Sequence, residues 1–217
     1  MKHTVRRFVL SLLCAGIFPL VMYAHPHMSL TNSFNFVFDG PSLSGVWLEW
    51  QFDRFFSADI ISAYDTNGDG TFSQAESNAV YQNAFINLRH YYYFTFIREG
   101  SKRWNPPKVD RFTASIREGY LVYRFFVDLS SCTSGDVSVA VYDYTFFCDI
   151  PYKKDNPVSL TFDGAQLTAR ASLEENKNFP VYYNPLGAID DATIYYTWKK
   201  GLETFYPREV RVIYESK

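Results

Sequence analysis

Residues 65–76 carry the most explicit chemistry in the chain, because hard oxygen donors recur there at the spacing a dication needs. Asp65, Asn67 and Asp69 fall at positions 1, 3 and 5 of a twelve-residue EF-hand calcium loop, which sets side-chain oxygens at alternate residues of a tightly turning backbone. Gly70 at position 6 permits the bend, and Thr71 at position 7 offers its carbonyl. Ser73 at position 9 acts directly or through water, and Glu76 at position 12 closes the shell with both carboxylate oxygens. The pattern does not recur, so the hand is unpaired. The alternative is an Asp/Asn/Gly turn without an ion, since these residues also dominate ordinary turns.

Imidazole supplies a second chemistry. Cleavage after Ala24 leaves His25 at the mature terminus, where an α-amine (pKa about 7.7 to 8.0) lies beside an imidazole (about 6.5) and both can be neutral donors near neutral pH. His25, His27 and His90 therefore form a candidate set for nickel, cobalt, zinc or copper. Pro26 has no N–H to deprotonate, which disfavours a square-planar amide chelate. The competing readings are a frayed terminus for His25 and His27, and a favourable helix C-terminal charge for His90.

No nucleophile–base motif such as G-x-S-x-G occurs, and the chain is read as non-enzymatic. Asp53, Asp143, Glu49 and Arg124 are read as solvated strand residues or a buried ion pair. The aromatic runs at Tyr91, Tyr92, Tyr93 and Phe94 and at Tyr195 and Tyr196 suit the core and rim of a sheet, with binding of sugars or a partner edge as the alternative.

The elements that must position these groups follow from pattern. Apolar residues Phe56, Ile60, Ile61 and Tyr64 precede the loop, and Val80, Ala84 and Leu88 follow it at four-residue steps, so a helix is expected on each side. Alternating stretches at 28–38, 46–52, 111–117, 120–129, 137–142, 158–162, 166–173 and 209–214 read as strands. A tight hairpin is expected at Glu118-Gly119 and another around Asp163-Gly164, with extended chain at 92–97 and at 193–198. Residues 174–192 read as a long surface loop. The predicted fold class is α+β, mostly antiparallel β-sheet and sandwich-like, with the helix-loop-helix inserted at about 54–90.

The chain has 217 residues, 47% of them hydrophobic, enough to bury one core. A net charge of −2 without a basic run argues against a nucleic-acid partner. Residues 1–24 read as a signal peptide, with Lys2, Arg6 and Arg7 before an apolar stretch and Ala24 before the cut, leaving 25–217 as a single β-rich domain with no membrane span. An uncleaved anchor is the alternative. Export into the periplasm, an oxidising compartment, leaves Cys132 and Cys148, for which a disulfide is the default expectation and two independent buried thiols the alternative.

Taken together, several stretches resemble a poorly characterised family of exported Gram-negative proteins, described as a domain of unknown function or as a periplasmic substrate-binding component of a transport system. They are His25-Pro26-His27, residues 52–57, the loop, Tyr93-Phe94-Thr95, residues 121–125 and residues 142–146. Members are often encoded beside nickel, cobalt or zinc transporters, so the resemblance implies metal handling by association. Thr31 stands where the family carries an aspartate, and Tyr144 where it carries a proline. The expected function is a periplasmic calcium-binding protein, an accessory of transition-metal transport with an inner-membrane transporter as partner. A copper enzyme with an amino-terminal histidine chelate and an envelope interaction module are the alternatives.

Overall fold

A computed structural model describes residues 26–188, 191 and 193–217. The signal segment and His25 lie outside the described residues. Strands β1 (Met28–Asp39) and β2 (Ser42–Phe52) form a long hairpin, followed by helices α1 (Arg54–Tyr64) and α2 (Gln74–Asn83) and a 3₁₀ segment, Phe85–Phe94. Then come β3 (Thr95–Glu99), β4 (Lys102–Trp104), β5 (Asp110–Arg117), β6 (Tyr120–Asp128), β7 (Asp136–Val141) and β8 (Cys148–Asp149). The chain ends with β9 (Val158–Thr161), β10 (Leu167–Glu175), β11 (Val181–Tyr183), β12 (Glu203–Phe205) and β13 (Arg208–Ser216).

One sheet runs β5-β6-β2-β1-β8, with β9 also pairing β1, and a second runs β10-β13-β7-β3-β4. All pairings are antiparallel except those of β8 and β9 with β1. Period-two alternation fixes which residues meet between the sheets. Leu30, Phe34 and Phe36 of β1 register with Phe52, Leu48 and Val46 of β2, and Leu121, Tyr123, Phe125 and Val127 carry the same face onto β6. Ile97, Val137, Val139, Val210 and Val212 of the second sheet join them in one buried cluster, giving a sandwich-like, sheet-rich α+β body. Trp50 is fully buried there, edge-on to Phe125 at a ring separation of 4.8 Å.

The Glu118-Gly119 hairpin forms as expected. Arg117 pairs with Tyr120, and both loop residues have positive φ (53° and 78°), the backbone of a type I′ turn. Around Asp163-Gly164 the chain does reverse, but no hairpin results. Asp163 accepts from the Ala165 N–H at 2.9 Å, and the turn passes the chain from one sheet to the other, where β10 pairs with β13. Local turn chemistry sets the reversal; long-range burial sets the partner. Residues 193–198 make only an isolated bridge, Tyr195 with Tyr182, and the stretch expected as a surface loop contains β11.

The second helix is shorter than its four-residue spacing suggests. It stops at Asn83, and the chain continues as 3₁₀ turns while Phe85 fills the core against Phe112 and Phe125. In place of extended backbone at 92–94, Tyr92, Tyr93 and Phe94 take φ of 57°, 49° and 51°. Left-handed backbone costs a non-glycine residue on the order of 1 to 3 kcal/mol, so surrounding packing must hold this turn. Phe94, buried against Trp50, supplies part of that hold.

The expected disulfide is overturned: Cys132 and Cys148 are both free and buried. Cys148 pairs with Met28 at the start of β1. The Cys132 N–H donates to Leu129, whose own N–H reaches Ser44, beside the opposite end of that strand. Ten residues of β1 separate the two positions, about 30 Å at strand rise, against the roughly 7 Å between Cα atoms that a bridge tolerates. β7 between them spans the body, so it holds its flanking cysteines apart. Burial raises the Cys132 thiol to about 11 and pushes Cys148 well above the ordinary thiol range.

Two outcomes follow. The unfolding midpoint is the same with and without dithiothreitol, and both thiols react with a thiol reagent only after denaturation; a reductant-dependent midpoint contradicts the assignment. At Gly45 an added Cβ would lie 2.5 Å from the Val127 carbonyl oxygen, so Gly45→Ala destabilises the domain by about 1 to 3 kcal/mol in chemical denaturation.

Candidate metal-binding loop

Both helices are fastened to the sheet before the loop begins. Asp53 caps α1, one carboxylate oxygen accepting from the Phe56 N–H at 2.9 Å and the other from the Ser29 N–H of β1 at 3.0 Å. Two buried serines then tie the helices to strand backbone. Ser57 of α1 accepts from the Leu121 N–H, and Ser77 of α2 from the Ala114 N–H, each at 2.9 Å. A buried N–H left unpaired is costly, so these contacts hold the helical pair in place over β5 and β6.

Between the helices the loop folds on its own side-chain oxygens. Asp65 accepts from the N–H groups of Asp69 (3.2 Å) and Gly70 (3.0 Å), Asn67 accepts from Asp69 (3.0 Å), and Asp69 accepts from Thr71 (2.9 Å). Gly68 and Gly70 take φ of 68° and 78°, which lets successive N–H groups turn inward. Asp69 is held below its ordinary carboxylate range, first by the Thr71 hydroxyl.

Glu76 closes the loop. One oxygen accepts from the Thr66 hydroxyl (2.7 Å) and N–H (2.8 Å), the other from the Ser73 hydroxyl (2.8 Å) and N–H (2.9 Å). Ser73 in return caps α2 in a reciprocal capping box with Glu76. These bonds, the Thr66 hydroxyl foremost, lower the Glu76 carboxyl from 4.5 to about 2. The carboxylate thus ties the second residue of the loop to the first turn of the following helix.

Among the described residues, no group of three or more His, Cys, Asp or Glu side chains converges as a ready metal shell. The loop carboxylates are turned instead to hydroxyls and N–H groups. The donor set is nonetheless oxygen throughout, from Asp65, Asn67, Asp69, Thr71, Ser73 and Glu76, which suits calcium and not a soft metal. An ionised carboxylate has about four lone-pair sites, so Asp65 and Asp69 can keep their N–H contacts while binding an ion. At Glu76 all four are engaged, and the Thr66 and Ser73 hydroxyls are the contacts that must yield.

His27 and His90 make different contacts. His27 donates its backbone N–H to Phe147 at 2.9 Å and sets its ring 5.1 Å from that of Phe147. His90 is exposed on the 3₁₀ segment, accepting from Arg89 at 3.3 Å. The polar residues set aside above have structural partners: Glu49 makes a bidentate pair with Arg117 (2.7 and 2.8 Å), and Arg124 stacks 3.6 Å over Trp47. Asp143 lies buried in its own turn, accepting from Thr145 and Cys148, and burial raises its carboxyl.

Pattern reading passed over Thr66, Ser57 and Ser77. The serines had a signal: each is a small polar residue beside the apolar positions of its helix, Phe56 and Ile60 for one, Val80 for the other. Thr66 had none, because position 2 of such a loop is not a ligand.

No helix among the described residues is long and apolar enough to cross a membrane. Over 103 residues the chain is 38% identical to an uncharacterized 15.5 kDa protein in the trpE 3′ region of Spirochaeta aurantia, covering 46% of this chain and 74% of that protein. A family model spans nearly the whole sequence, residues 10–214, and the chain belongs to the family described as "Protein of unknown function (DUF1007)".

Proposed function

We propose that residues 65–76 bind calcium and that the ion stiffens the joint between α1 and α2. The observation that carries this reading is the loop's hydrogen bonding: Asp65, Asn67 and Asp69 accept from successive N–H groups, which holds the backbone in one tight turn with all three oxygen donors on it. Glu76, with its carboxyl lowered to about 2, is ionised at any physiological pH and needs no deprotonation to act as the closing ligand. Being single and fastened to a sheet, the hand serves as a structural clamp. Its affinity belongs with extracellular modules, roughly 0.1 to 1 mM.

The protein is proposed to be exported to the periplasm, where it acts as a non-enzymatic accessory of nickel, cobalt or zinc transport. Its mature terminus presents His25 and His27, and an inner-membrane transporter is its partner. Support for export comes from the basic and apolar pattern of residues 1–24; support for the metal comes from the His25-Pro26-His27 donors and the family resemblance.

Calcium at about thirty times its Kd raises stability by about 2 kcal/mol, which for a domain of this size lifts Tm by about 4 to 8 °C in a thermal scan. Glu76→Gln weakens calcium binding by at least about tenfold in a calorimetric titration, because it removes a ligand charge. An equal affinity in that variant contradicts the site.

The acid behaviour has a definite sign. The folded carboxyl of Glu76 is depressed, so its calcium-free contribution to stability is complete above about pH 4.5 and fades as pH falls toward about 2. The difference in urea midpoint between the protein and Glu76→Gln therefore shrinks across that interval. For the histidines, mass spectrometry of exported protein finds His25 as first residue, and zinc or nickel titrates it; any other start removes the amine donor.

A further inference from the structure

A cleft lies away from the loop, between the 3₁₀ segment, β3–β4 and the chain around β11. Its volume is about 610 Å³, within the range of small-molecule sites. Six tyrosines line it, Tyr92, Tyr142, Tyr144, Tyr182, Tyr195 and Tyr196, together with the guanidinium of Arg103. Tyr92 comes from the left-handed turn that packing must hold in place.

Arg103 is the unusual group. Its guanidinium lies 4.4 Å from the ring centre of Phe96 and 4.0 Å from that of Phe179, and it donates to the Tyr142 hydroxyl. Tyr142 is itself stacked on Phe96, 4.3 Å apart and 16° from parallel. Arg98, a basic neighbour outside the cleft lining, is neutralised by Glu209. No carboxylate forms an ion pair with Arg103 among the described residues. Rings on its faces leave the fork of N–H donors rigid, a preorganised receptor for an anion.

We propose that this cleft binds a sugar carrying an anionic group, with Arg103 holding the anion and the tyrosines holding the ring. A tyrosine presents an apolar face and a hydroxyl tip, and a sugar presents apolar ring faces and a hydroxyl rim. The hydroxyl rim of a sugar gives the tyrosine tips hydrogen-bond partners that a wholly aromatic acid lacks. The anion is a carboxylate, as in a uronic acid, or a phosphate, as in a sugar phosphate. This site is independent of the calcium loop.

The test is calorimetry and saturation-transfer NMR on the purified protein with four probes: glucuronate, glucose 6-phosphate, glucose and benzoate. Glucuronate or glucose 6-phosphate binds, the tighter one naming the anion, while glucose and benzoate bind at least about tenfold more weakly, as loss of charged or hydroxyl contacts requires. Arg103→Gln lowers affinity for the anionic sugar at least tenfold toward that of glucose. Tyr196 is 85% exposed, so Tyr196→Ala folds regardless and lowers affinity for anionic and neutral sugar alike. The proposal is overturned if neither anionic sugar binds, if glucose or benzoate binds equally well, or if the folded variants match the parent protein.

Discussion

The Glu76 carboxylate is the constraint on which the helical half of the molecule depends. Its two oxygens hold Thr66 at the start of the loop and Ser73 at the start of α2, so one charge fixes the distance across a twelve-residue turn. Remove it and the loop loses its only tie between those two points among the hydrogen bonds described above. The helices would still be fastened to the sheet by Ser57 and Ser77, but the loop between them would keep only the bonds made by Asp65, Asn67 and Asp69. A charge-assisted bond contributes more than a neutral one, and here four converge on one group.

That arrangement sets the competition a cation must win. A cation would have to draw together oxygens that now face N–H and hydroxyl groups, although the N–H contacts of Asp65 and Asp69 could persist around it. At Glu76 it would have to displace the two hydroxyls, which can rotate to other acceptors where the N–H groups beside them cannot. On that balance the proposed calcium site is a weak and structural one. The fastening of both helices to β5 and β6 means that any tightening of the loop is felt at the backbone of Ala114 and Leu121.

Much of this was written locally in the sequence, and the exceptions are instructive. The loop is legible because its donors sit within twelve residues, and the Glu118-Gly119 hairpin because Gly119 supplies the freedom that a positive φ needs at the second turn position. The inward face of β6 could be read because alternation alone decides it. What escaped depended on distance along the chain. Turn residues at Asp163-Gly164 specify a reversal but cannot say that β9 lies parallel to β1 while β10 crosses to β13. Cys132 and Cys148 look like partners in sequence, yet a strand between them necessarily carries them apart. Arg103 and Tyr142 give no sign of each other until β3, β4 and β7 align.

The central claim is that a single dication gathers the loop and that the sheet registers it. Amide NMR during a calcium titration tests this most directly, with magnesium as the contrast. The account predicts saturable shifts at residues 65–76, accompanied by smaller ones at Ala114 and Leu121, complete by about 10 mM calcium. Loop amides that stay unmoved to that concentration, or that respond equally to magnesium, would contradict it.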